Sequence, residues 1–247
     1  MVEPPRPSNR DELRELSGWP IRGEIDALDR SFRVFTGNRD ELFRLLAESN
    51  EPARAFQLWA LTNKDGFERF LDEADRLIHN FLSAAMTLRD HTRITAPRLL
   101  PADDADDLAE RYAARIEKDF ARSPLVRFVQ KLRNFTLHYR LPVATGSLSA
   151  GFPEMRMETR VVLHASDLLK WSDWGPLARG YIESAGDDIP VGEAFGEYAA
   201  VAVAFHEWFR DALWTRHRTK LTELEDAEAK VREFQRRAWG EPISGPR

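Results

Sequence analysis

The chain contains no cysteine, so it can hold neither a disulfide framework nor a thiolate metal site. No stretch approaches the roughly 18 consecutive apolar residues that a membrane span requires. The segment MVEPPRPSNRDEL lacks the apolar core of a secretory signal, and a soluble, cytoplasmic protein is the expectation. Positive charge is not in excess: 36 Lys and Arg stand against 41 Asp and Glu, a formal net charge of −5. An overall basic field for gripping nucleic acid phosphates is therefore excluded, and any such contact must be local. The GxGxxG and Walker A loops are missing, as are the Glu-x-x-His and His-Glu-x-x-His metal patterns. No cofactor and no metal are expected.

What is there is helical pattern. Hydrophobic residues make up 43% of the 247 and charged residues 31%, the balance of a folded chain. Met1 to Pro7 is polar and proline-rich, hence a loose tail. Ser8 can cap a short helix that Gly18-Trp19-Pro20 should end. Ile25, Leu28, Phe32 and Phe35 then recur at helical spacing until Gly37, and Asn38 should begin a new helix holding Leu42, Leu45 and Leu46. Asn50-Glu51-Pro52 opens a fourth.

From Asp65 a single stripe, Phe67, Phe70, Leu71, Ala74, Leu77 and Ile78 continuing to Leu88, predicts a long helix. It should stop near Arg89–Arg93, before a proline-containing loop over Ile94 to Pro101. Asp103 and its acidic neighbours suit the start of the next helix, whose inner face carries Leu108, Tyr112, Ile116 and Phe120. Helices in succession with short connections argue for an antiparallel bundle. After Pro142 the texture changes: Ala144 to Gly151 is small and polar, Glu154 to His164 alternates in part, and a β-hairpin or short two-stranded ribbon is expected. Ser166 or Asp167 should restart helix through Trp171, Trp174, Leu177, Tyr181 and Ile182. Gly186-Asp187-Asp188 should be a loop, and Pro190 should open a last long helix that continues, after a bend, through Leu221, Leu224, Val231 and Phe234.

The strongest chemical hint lies in Phe128 to Val143, FVQKLRNFTLHYRLPV. Ser123-Pro124 starts this helix and Pro142 stops it. Asn134 and His138 are four apart, on one face near the C-terminal end. Arg133 lies about 140° of arc from His138, yet a long side chain near a helix end can bend toward a shared cleft. This trio suits RNA phosphodiester cleavage. An imidazole can take the proton of a 2′-hydroxyl, a guanidinium can pair with phosphate oxygens as charge builds, and a carboxamide can orient either.

Arg133-Asn134-Phe135-Thr136-Leu137-His138 resembles the signature of HEPN (higher eukaryote and prokaryote nucleotide-binding) domains, an Arg followed by a polar residue and, some positions later, a His. The resemblance covers about Asp65 to Pro142. It implies a metal-independent ribonuclease with catalytic Arg133, Asn134 and His138, acting on RNA as a homodimer that joins two motifs across one cleft. It also implies, by family analogy alone, a toxin-like or defence component. The N-terminal helices and the β-prone segment depart from the minimal domain. HEPN-like domains also include members that only bind nucleotides or partners. The competing account is a non-catalytic helical scaffold in which Arg133 and His138 merely favour the helix dipole.

Asp90 and His91, flanked by Arg89 and Arg93, are accessory candidates that could reach the motif, or else a solvated helix end. His79 and His206 are expected to be satisfied structural residues, and Arg216-His217-Arg218 with Lys220 a solvated basic face. The expected architecture is mostly α: an N-terminal layer over 1–64, a bundle core over 65–142 with the motif helix at 123–140, a β-prone insertion over 143–165, and C-terminal helices over 166–247, all in one continuous domain.

Overall fold

Long apolar stripes make long helices in this protein, and two of them run past the glycines and prolines that should stop them. A computed structural model describes residues 10–60, 62–100, 107–140, 144–151 and 156–239. It is mostly helical with a small antiparallel β element, as the sequence predicts, and that element is a sheet of three strands. Among the described residues no helix is long and apolar enough to cross a membrane.

After the short α1 (Arg10–Glu15), α2 spans Gly18–Glu48 without a break. Gly18, Trp19 and Pro20 begin this helix instead of ending the previous one, because proline suits a first turn, where its missing N–H has no partner to lose. Gly37 does not close it either. Ile25, Leu28, Phe35 and Leu42 form one buried row, which outweighs the ~1 kcal/mol that a glycine costs inside a helix. Asn38 caps nothing; its side chain donates to the Val34 carbonyl at 2.8 Å. Helix α3 (Pro52–Trp59) follows as predicted.

The next correction is α4, which runs from Lys64 to Leu99 and carries Pro97 inside it. An interior proline costs about 3 kcal/mol. Thr92, Thr95, Ala96 and Leu99 are all buried on this extension, and their burial offsets that loss. The predicted start of the following helix at Asp103 lies outside the described residues. From Leu108 to Arg115 the chain is α-helix α5, then a π-helix takes over from Ile116 to Ala121. Helix α6 occupies Pro124–His138.

Strand β1 (Ala144–Gly151) pairs antiparallel with β2 (Arg156–His164), with Ala144 opposite Leu163. The predicted hairpin therefore exists, and it gains a third strand. Asp188–Pro190, expected to be loop and helix start, is β3, paired with β2 so that His164 faces Asp188. Its proline sits in an edge strand, where the missing N–H is tolerated. The helix expected from Ser166 onward is two pieces, α7 (Ala165–Leu168) and α8 (Pro176–Ser184). Gly175, at φ 74, makes the turn between them. Helices α9 (Val191–Arg216) and α10 (Arg218–Trp239) meet at the expected break, at His217, although Phe234 is exposed.

Two compact units divide the chain: residues 30–207, and residues 1–29 together with 208–247. In the terminal unit, Leu13, Ile25, Leu28, Leu213, Leu221 and Leu224 are buried. Arg22 ion-pairs with Glu225 at 2.8 Å and lies over the Trp214 ring. A Cβ at Gly18 would fall 2.2 Å from the Lys220 carbonyl oxygen, so only glycine fits there. In the larger unit, Phe81 of α4 stacks on Phe195 of α9 at 4.7 Å and meets Phe35 of α2 at 5.4 Å. Phe128 and Phe135 of α6 close around Trp174, whose indole N–H donates to the Leu168 carbonyl at 2.7 Å.

Candidate functional site

Helix α6 forms as its caps dictate. The Ser123 hydroxyl oxygen accepts the Val126 N–H at 3.3 Å, and Pro124 takes the first helical position. Val126, Phe128, Val129, Leu132 and Phe135 make its buried arc. Because each residue advances ~100°, Arg127, Asn134 and His138 fall together on the opposite arc, with Lys131 beside them. Arg127 and His138 are exposed; Lys131 and Asn134 are half-buried. The Lys131 ammonium is taken by Asp173 at 3.1 Å and lies near the Trp171 ring.

Arg133 sits on the flank, about 140° round the helix from His138. It is half-buried, and its Nε is enclosed with no hydrogen-bond partner among the described residues. The structure thus groups Asn134 with His138 and sets Arg133 at the edge of the buried arc. Past the helix, the N–H groups of Tyr139 and Arg140 both donate to the Phe135 carbonyl, and Arg140 ion-pairs with Asp167 at 3.3 Å. The Asp167 carboxyl is held below its ordinary value, chiefly by the hydrogen bond from Lys170.

The same end of α6 brings in a residue that the sequence does not reveal. The Ala144 N–H, at the start of β1, donates to Asp75 Oδ1 of α4 at 3.0 Å. Burial pushes this carboxyl up to about 6, against the opposing pull of the Ala144 bond and with some help from Asp72. Among the described carboxylates it is the one raised clearly above its ordinary value. Asp75 carries no motif: it is one acid among several on a long helix, and its partner is 69 residues away.

Asp90 and His91 are placed elsewhere. Helices α4 and α6 run antiparallel, so Asp75 meets the chain just after α6, whereas Arg89 and Arg93 share a cavity wall with Arg127 and Gln130 of its first turns. Asp90 is therefore about 15 residues of helix from Asp75, about 22 Å at 1.5 Å each. It pairs with Arg89 at 2.7 Å, and His91 Nδ1 is 2.6 Å from the Ser31 hydroxyl. Neither joins the His138 end. His206 is buried and stacks on Phe32 at 4.0 Å. His79, expected to be satisfied, has its Nδ1 enclosed without a partner among the described residues.

A third cluster crosses the sheet. Thr145 Oγ1 is 3.0 Å from His164 Nε2, and His164 Nδ1 is 2.6 Å from Asp188 Oδ1. Hydroxyl, imidazole and carboxylate in a row is the order found in nucleophilic triads. Here each member stands on a different strand, and both His164 and Asp188 keep substantial solvent exposure. The row joins β1, β2 and β3 through their side chains. Its pairing is set by register between distant segments, which no local spacing exposes. Among the described residues no group of three or more His, Asp or Glu is placed to hold a metal ion. No family model, no curated protein and no solved structure matches the chain.

Proposed function

We propose that the chain is a HEPN-type, RNA-directed protein, a metal-independent endoribonuclease working from the C-terminal end of α6. The observation that carries this reading is the exposed His138 at that end, with Asn134 one turn back on the same face. His138 takes the proton of a ribose 2′-hydroxyl, the resulting oxygen attacks the adjacent phosphorus, and the bond to the 5′-oxygen breaks. A proton returned to that oxygen leaves a 2′,3′-cyclic phosphate on one product and a 5′-hydroxyl on the other. Asn134 orients the imidazole or the phosphate, and Arg133 approaches the phosphate oxygens from the flank.

A single histidine would have to act first as base and then as acid, roles that two copies share. A second copy supplies the second imidazole, and Leu137 and Tyr139, 47% and 46% exposed on either side of His138, offer apolar surface for that association. The test is cleavage of RNA by the pure protein in excess EDTA, against His138→Ala and against a substrate with one 2′-deoxy sugar at the scissile position. The variant should be inactive, and the deoxy strand should bind without being cut. Cutting of the deoxy strand at the same place, or full dependence on a divalent ion, overturns the mechanism. A well-folded wild-type protein that cuts no RNA favours the second reading, a non-catalytic helical module. The enclosed, flank-facing Nε of Arg133 is the feature on that side.

A further inference from the structure

The other end of α6 borders a cavity of about 750 Å³, within the range of sites that enclose small molecules. Leu88, Ile116, Phe120 and Phe205 give it an apolar interior, in which Phe205 touches both Phe120 and Tyr112 edge-on or tilted, at 5.1 and 5.8 Å between ring centres. Among the described residues its charged lining has one sign: Arg89, Arg93 and Arg127 line it, and no described Asp or Glu does. Arg89 is met by Asp90, but no described carboxylate ion-pairs with Arg93 or Arg127, both of which are exposed. Among the described residues Arg127 hydrogen-bonds to a neutral group, donating to the Gln130 side-chain carbonyl at 3.1 Å.

Two backbone irregularities meet at this wall. The π-helix contributes Ile116, Phe120 and Ala121, and such insertions persist mostly where a site needs them. Pro97, also on the wall, has no N–H to give the Arg93 carbonyl, which leaves that oxygen without its helical donor. The Tyr198 hydroxyl, on a buried part of the wall, is kept neutral, since burial drives its pKa far up, and it lies within electrostatic reach of both Arg89 and its partner Asp90. A neutral donor beside a guanidinium suits an anion at the polar end of an apolar chamber.

We propose that this cavity binds a small amphiphile, an aliphatic or aromatic body with a single anionic carboxylate or phosphate head. The head sits between Arg93 and Arg127, which hold it by charge-assisted hydrogen bonds. The body fills the space bounded by Leu88, Ile116, Phe120 and Phe205. The site does not depend on the ribonuclease reading, because His138 lies at the far end of the helix.

Titration calorimetry of the full chain with dodecanoate and dodecyl phosphate below their micellar concentrations, and with dodecanol below its solubility limit, tests this. One anion or both should bind one to one, and dodecanol at least about tenfold more weakly, the loss of one charge-assisted contact. Whichever anion binds tighter identifies the head group. Arg93→Glu combined with Arg127→Glu changes only exposed positions and should weaken anion binding by at least about tenfold while circular dichroism stays unchanged. Ala109→Trp, on the half-exposed wall, should block binding by filling the space, and His138→Ala should leave it intact. Equal binding of dodecanol, unchanged affinity in the double variant, or no binding of either anion overturns the proposal.

Discussion

The two ends of α6 present an imidazole and a guanidinium in opposite settings. At its C-terminal end His138 stands exposed to solvent, and any enclosure of it must be supplied by whatever docks there. At its N-terminal end Arg127 lines a chamber whose apolar walls are already assembled, with two further guanidiniums in the same lining. Charges in water interact weakly, and the same charges beside a low-dielectric interior interact strongly. A preformed cavity can therefore select a ligand by itself, whereas an open helix end depends on what docks there. One helix, capped once and buried along one arc, presents both.

The change with the largest expected effect removes what the two ends share. Phe128 is fully buried between the Trp174 and Tyr181 rings, so Phe128→Ala should lower stability by about 3–5 kcal/mol, read as a shift in urea midpoint. Amphiphile binding and RNA cutting should fall together with it. Survival of either alone would mean that this end of the helix is held independently.

Next in size is a crossed pair of substitutions. His138→Ala should reduce RNA cutting about 100-fold or more, the usual worth of a general base, while Arg127→Glu leaves cutting within about threefold. If Arg127→Glu also abolished cutting, the two ends would have to be regarded as one site.

A smaller effect comes from Asp75, beneath the C-terminal end. Its folded pKa of about 6 lies above the ordinary aspartate value, so the folded protein holds the proton more tightly than the unfolded chain. The stabilisation is complete below about pH 4 and is lost as pH rises through 6. Allowing for solvent around a half-exposed group, it amounts to about 1–2 kcal/mol. The stability difference between wild type and Asp75→Asn, measured from pH 4 to 7, should decline across that window and then level off. A flat difference would mean that Asp75 is better solvated than its burial indicates. Smallest of all, His138→Ala should change stability by less than about 1 kcal/mol, since the residue is exposed at a helix end; a larger drop in melting temperature would mark it as structural.

The fold was legible where local chemistry decides it. Ser123-Pro124 announces α6, and the alternation in Glu154 to His164 announces β2, since caps and side-chain periods act over a few residues. It was illegible where distant burial overrides a local signal. Gly37 and Pro97 are ordinary stops, and only the buried rows on α2 and α4 explain why the helices pass them. The same holds for the sites. His138 and Asn134 share a face by spacing alone, so their grouping could be read directly. Asp75 with Ala144, Thr145 with His164 and Asp188, and Arg93 with Arg127 meet only through packing between segments far apart in the chain.

The π-helix at 116–121 has a consequence for how this protein can change. In an α-helix each N–H reaches four residues back; here the Arg122 N–H reaches Glu117, five back, at 3.2 Å. The segment has absorbed surplus length without disturbing Ser123-Pro124 behind it. Loss of one residue from this stretch would let it tighten into ordinary α-helix with the flanking segments kept in register, while the wall residues Ile116 and Phe120 would come to be three positions apart instead of four. Phe120 and Ile116 could not then both keep their places on the cavity wall. A gain or loss of one codon, leaving α6 and the sheet untouched, is enough to reshape the chamber and exchange one occupant for another.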